Sequence, residues 1–201
     1  MSVAVGSFLI FAASQVGTPG PANMALMASG AQFGLSRSLP FIGGVVLGKQ
    51  LIIWPLGYGL FSLAGAAPWA VEAIKWVSLA VVLWIAWRIA FMQLSEASSG
   101  SRPFSFALGL LVHPFNPKAW AMITVGFTAF VEPGTPALQA TATIAICLLA
   151  TQIVLHPVWT IAGSGSARLA ADSRAERALM IALAAATVLS VAFVLFQGGK
   201  A

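Results

Sequence analysis

Apolar residues along this chain come in long runs separated by short polar stretches. A helix needs roughly 20 apolar residues to cross a hydrocarbon core, and on that rule the pattern predicts six segments. The first runs from about Val3 to Ala31 and is interrupted at Pro19-Gly20-Pro21. A polar turn, Gln32 to Arg37, leads to the second, from about Leu39 to Leu63, and the third runs from about Pro68 to Met92. The most hydrophilic loop follows, Ser95 to Pro103, rich in Ser and Gly and read as a flexible joint. The fourth segment, about Phe104 to Phe130, is interrupted at Asn116-Pro117 and closed by the turn Glu132 to Pro136. The fifth runs from about Leu138 to Ala162, a polar loop spans Gly163 to Arg177, and the sixth runs from about Ala178 to Phe196.

The two interruptions carry most of the information. Pro19 and Pro21 remove backbone donors and Gly20 adds freedom, yet the flanks are Phe8-Leu9-Ile10-Phe11 and Met24-Ala25-Leu26-Met27. Broken backbone between such flanks must be buried in protein or line a cavity, because lipid cannot hydrogen-bond it. The second half repeats the device at His113-Pro114-Phe115-Asn116-Pro117-Lys118. A shift of about 96 positions carries Phe8 onto Phe104 and Pro21 onto Pro117. Three spans per half is an odd number, so homologous halves would lie inverted in the membrane, and paired broken segments point to a transporter site. The predicted fold is an all-α integral membrane protein. It has six transmembrane helices in two inverted three-helix repeats, the first helix of each repeat broken. Its parts are residues 1–94, a connecting loop 95–103 and residues 104–201.

Composition supports this. The chain is 59% hydrophobic and 7% charged, where a soluble domain is about a quarter charged. The net charge of +5 does not imply a nucleic-acid partner, since no basic patch is interleaved with aromatics. Arg37, Arg102, Arg168, Arg174 and Arg177, with Arg88 close by, fall in one set of loops, against Lys75 and Lys200 on the other. The positive-inside rule then makes the arginine side cytoplasmic and leaves both termini outside. The N-terminus has no basic n-region of a cleaved signal peptide, and Cys147 in an apolar run reads as a small core residue. Gly30 and Gly34, and Gly44 and Gly48, stand four apart, a spacing that lets helices approach closely. Most tryptophans lie toward segment ends, with Trp54 deeper.

Candidate chemistry gathers at the breaks. Lys49, beside Gln50, and Lys118, after Asn116-Pro117, lie near segment centres. A charge there costs between about 2.5 and well over 10 kcal/mol and is functional by default, unless the side chain snorkels to an interface. Gln15, Thr18, Pro19, Gly20, Pro21, Asn23, Asn116 and Pro117 surround the breaks, where half-helix N-termini favour carboxylates. His113 and His156 could titrate in a transport cycle or serve as structural hydrogen-bonders. Two histidines without a carboxylate or thiol cluster make a poor metal site, and no cofactor is indicated. Glu72 and Lys75 read as a surface pair, and Glu96, Glu132, Asp172 and Glu176 fall in or beside loops. Two central lysines without an acidic partner need a counterion, which a substrate carboxylate would supply.

At Thr18-Pro19-Gly20-Pro21-Ala22-Asn23-Met24, Ala28-Ser29-Gly30-Ala31-Gln32-Phe33-Gly34 and Asn116-Pro117-Lys118-Ala119-Trp120, the chain resembles the lysine/homoserine exporter family, the LysE/RhtB translocators. The resemblance covers essentially the whole length. It implies an inner-membrane exporter of amino acids or small derivatives, driven by the proton gradient, with no enzymatic activity. Family members often carry a polar residue directly after the Pro-Gly-Pro, where this chain has Ala22. Expected partners are a small-molecule substrate and the lipid bilayer; the oligomeric state stays open, a homodimer among the choices. Two alternatives are an intramembrane hydrolase of rhomboid type, with serines at Ser36, Ser164 or Ser166 and His113 or His156 as base, and a non-transporting assembly subunit.

Overall fold

Proline decides where the first two helices part. In the computed structural model, which describes residues 2–59, 68–92, 102–170 and 173–198, α1 (Val5–Gly17) stops just before Thr18-Pro19-Gly20 and α2 (Pro21–Gly57) begins on a proline. A proline at the first helical position loses only an amide that would have no partner anyway. Gly20 between them is fully extended. The remaining elements are α3 (Pro68–Ala90), α4 (Phe106–Val112), α5 (Pro117–Phe130), α6 (Ala137–Leu169) and α7 (Ser173–Gly198). The described residues hold no strand, only one antiparallel bridge between Val3 and Val131. The all-helical class is as the sequence implies. Among the described residues two helices, α2 and α6, are long and apolar enough by length and composition to cross a membrane.

The polar turn expected over Gln32 to Arg37 is narrower than its sequence suggests. Helix α2 is continuous except at Gly34, whose φ of 73° only glycine adopts freely. There the helix doubles back. Ser29 Oγ and Ser38 Oγ lie 2.8 Å apart, although nine residues of straight helix would separate them by about 13.5 Å. Ser38 also donates to the Gly34 carbonyl. So α2 is a hairpin of two arms, 21–33 and 35–57, and Gly34 serves the bend rather than a helix contact: nothing lies near the position of its absent Cβ.

Other glycines do serve contacts. A Cβ on Gly30 would overlap the Thr160 carbonyl, and one on Gly163 would overlap the Met27 carbonyl, so the first arm and α6 touch backbone to backbone. Gly44 and Gly48 press on the Phe106 and Leu110 carbonyls of α4, and Gly109 answers against Phe41. These contacts explain a second difference. Gly163 to Leu169, expected in a polar loop, is helical and extends α6, because Gly163 is needed against Met27 and Ser164 Oγ donates to the Gly30 carbonyl. Trp54, expected deep, lies three residues from the end of α2, part-exposed and stacked on Tyr58. The second helix simply ends earlier than the apolar run does. Most of the Ser95–Pro103 loop, the side chains of Trp69, Glu72 and Lys75, and Glu96, Asp172 and Lys200 lie outside the described residues.

Two apolar clusters flank the breaks. One joins both arms of α2 with α3, α7, Phe104 and Val112; the other joins α1, the far end of α2, α5 and α6. Helix α6 presents apolar residues outward as well as inward, with Ile144 and Leu148 inward and Ile146, Ile153 and Val154 outward. A surface helix apolar on its outward face needs lipid rather than water. Ile10, 76% exposed on α1, and Leu189, 67% exposed on α7, say the same. At the outer ends of α1 and α5 the Val3–Val131 bridge is reinforced: Ala4 N donates to Phe130 O, Glu132 N to Ser2 O, and Ser2 N to Glu132 Oε2 at 2.8 Å. The Ser2 amide holds the Glu132 carboxyl below its ordinary range.

Candidate functional site

Interrupting a helix frees carbonyls on one side and amides on the other, and each must find a partner. At the first break, Val16, Thr18 and Pro19 offer the carbonyls. Asn23 Nδ2, buried in the first turn of α2, donates to Val16 O at 2.6 Å and to Thr18 O at 2.8 Å. Trp159 Nε1 of α6 reaches Val16 O as well. At the second break, His113 to Asn116, the Asn116 side chain caps α5 by accepting from Lys118 N, and Trp120 Nε1 donates back to Pro114 O. Each break is thus closed by an asparagine, one at a helix start and one across the gap.

The breaks face each other. Lys118 Nζ, in the first turn of α5, donates to Thr18 O and Pro19 O, both at 3.2 Å. The sequence leaves this lysine awaiting a counterion; the structure gives it two carbonyls from the opposite half of the chain. Between the breaks lies a small cavity of about 30 Å³, room for a water or two. Its walls include Asn23, Lys49, His113, Asn116, Lys118 and His156. Beside it a larger cavity of about 420 Å³ is walled by Phe11, Thr18, Pro19 and Val125, and reaches Ser190 of α7. Gln15, Lys118 and Met122 border both.

Deeper in, polar groups lie unmatched. Lys49 is 3% exposed, and no hydrogen bond or ion pair reaches its Nζ among the described residues. The His113 and His156 rings stack at 6.1 Å and 24°. His113 Nε2 pairs with Gln152 Nε2 at 3.3 Å, while both Nδ1 atoms and Gln152 Oε1 have no partner among the described residues. Buried polar atoms are ordinarily satisfied, so this cluster is costly to the fold. No carboxylate lines either cavity, and no group of residues able to hold a metal occurs among the described residues. The walls offer ammonium, imidazole and amide donors, which suit an anionic group.

Of the residues expected at the site, Gln15, Gly20, Asn23, Lys49, His113, Asn116 and Lys118 line the inner cavity, and Thr18 and Pro19 the outer one. Pro21 and Pro117 shape it by starting α2 and α5. Gln50 is not brought in: its Nε2 reaches Ala145 O and ties α2 to α6. Gln152 and Met122 were not anticipated. The signal for Gln152 was its place one helical turn before His156, which puts both on one face of α6.

Residues 13–199 match the family model described as LysE type translocator. The chain is 31% identical over 147 residues to the cysteine/O-acetylserine efflux proteins of Escherichia coli K12 and Shigella sonnei, covering 73% of this chain and 75% of theirs. No solved structure matches.

Proposed function

Since the chain belongs to the LysE type translocators, a membrane transporter family and not an enzyme family, we propose that it exports a small amino acid or O-acylated derivative through the space between its two breaks. The observation that carries this is the meeting of the breaks, with Lys118 of one half held on the freed carbonyls of the other. The outer cavity, about 420 Å³, falls within the roughly 300–1,000 Å³ of small-molecule sites. Its substrate carboxylate would face Lys118 and, deeper, Lys49. The hydrolase alternative has no support: Ser164 Oγ donates to Gly30 O and Thr160 O, and Ser166 Oγ to Ala162 O, none toward a histidine.

The transport cycle follows from symmetry. The chain passes α1, break, first arm of α2; the second half passes α4, break, α5, in the opposite sense, so that α1 and α5 meet at their far ends. We read this as two inverted repeats of three spans, residues 1–94 and 104–201, rocking about the site to give alternating access. The protein sits in the bacterial inner membrane. The Gly34 bend, with Arg37 beside it, and the end where Arg88 covers Phe104 face the cytoplasm, and both termini face out. Exchange for protons drives export, with Lys49, His113 and His156 the buried bases at hand. The test is reconstitution into liposomes with a panel of amino acids. Saturable flux of cysteine or O-acetylserine, accelerated by a proton gradient, is the expected result; a protein that moves no amino acid in either direction sinks the reading.

A further inference from the structure

Unwound backbone at the first break already holds an ammonium, and that ammonium belongs to the protein. Thr18 O and Pro19 O each accept from Lys118 Nζ at 3.2 Å, a charge-assisted pair of bonds. The lysine stem crosses the face of Gly20, where a Cβ would lie in ordinary contact with it, 3.4 Å from Cδ and 3.5 Å from Nζ. Lys118 is only half-buried and borders both cavities, and Thr18 and Pro19 line the larger one. No carboxylate faces that cavity. An amine arriving there must be met by neutral oxygens.

We infer that Thr18 O and Pro19 O form a primary-ammonium subsite for the transported molecule, which Lys118 occupies as a tethered stand-in until substrate displaces it. This rests on the transport reading given above. The substrate's amine takes the two carbonyls, and the released Lys118 turns to its carboxylate. No proton need move in this exchange, because one ammonium replaces another. A tethered group competes at an effective concentration of order millimolar or above. Free ligand therefore binds with an apparent affinity reduced by the fraction of time the subsite is open. Substrates with both an amine and a carboxylate relieve that handicap; simple amines do not.

The test uses the full chain purified in detergent and radiolabelled propylammonium, which matches the end of a lysine side chain. Wild-type protein should bind it at least tenfold more weakly than Lys118→Ala, in which the internal competitor is gone. Propanol, of similar shape without the charge, should not displace it. Lys118→Met, which keeps the stem and removes the ammonium, repeats the comparison should the alanine variant not remain monodisperse. Equal propylammonium binding in wild type and variants, or equal displacement by propanol, overturns the subsite. Binding of propylammonium needs no flux, so a failure of amino-acid transport would leave this result standing and would count against the transport reading alone.

Discussion

Lys49 and Asn23 show how differently two buried polar residues can be held. Asn23 is fully used, both its amide hydrogens spent on the Val16 and Thr18 carbonyls. Asn23→Ala removes one of two donors at each carbonyl, leaving Trp159 on Val16 O and Lys118 on Thr18 O, at a cost of about 0.5–1.5 kcal/mol per lost bond, and should lower the unfolding temperature in detergent as well as the flux. Lys49 is the reverse: buried, with no partner among the described residues. Replacing an unpaired buried charge by an apolar isostere removes its desolvation cost and strands no partner. Lys49→Met should therefore unfold at the same or a higher temperature while transport falls at least tenfold. Unchanged flux in Lys49→Met would make this lysine structural. The presence of Lys49 near mid-helix is legible in sequence. Its isolation is not, because what surrounds it comes from three other parts of the chain: His113, Lys118 and His156. The same distance hides the Lys118 contact, whose acceptors lie a hundred residues upstream.

Among the described residues, helices α2 and α6 make the most extensive helix–helix contact, and glycine sets its closeness. A methyl group at Gly30 or Gly163 would overlap a carbonyl of the other helix. Overpacking a tight contact costs typically about 1–3 kcal/mol. Gly30→Ala and Gly163→Ala should each lower the unfolding temperature, whereas Gly165→Ala, with nothing near its Cβ position, should not. Equal unfolding of all three would show that these helices part without cost. Breaks at Pro19-Gly20-Pro21 and Asn116-Pro117 are readable from sequence because proline acts locally. The helix through Gly163-Ser164-Gly165-Ser166 is not, because composition marks a loop there while the partner is Met27 and Gly30, far away in sequence. The Gly34 bend falls between: the sequence marks a turn, but only the Ser29–Ser38 contact shows it to be one residue wide.

For the molecule as a whole, orientation is the property most directly tested. In a Cys147→Ala background, a cysteine at Arg102 and one near the C-terminus should differ in labelling by an impermeant reagent on intact cells, the C-terminal one alone reacting. Equal labelling from outside would overturn the assignment. Acidity tests the tie between Ser2 and Glu132. The Glu132 carboxylate is favoured in the folded state by the Ser2 amide, so its contribution is complete above the ordinary carboxylate range and is lost as pH falls through the lowered value. Spin labels at Ser2 and Pro133 should stay close at neutral pH and separate only below that range, and Glu132→Gln should abolish the dependence. That tie has a mechanical meaning. Helices α1 and α5 are each cut from their continuations at a break, yet fastened to each other at the opposite end. Two rods pinned together at one tip are coupled: tilting either one pulls on the other. The rocking of the two halves proposed above must therefore either turn about this tie or break it.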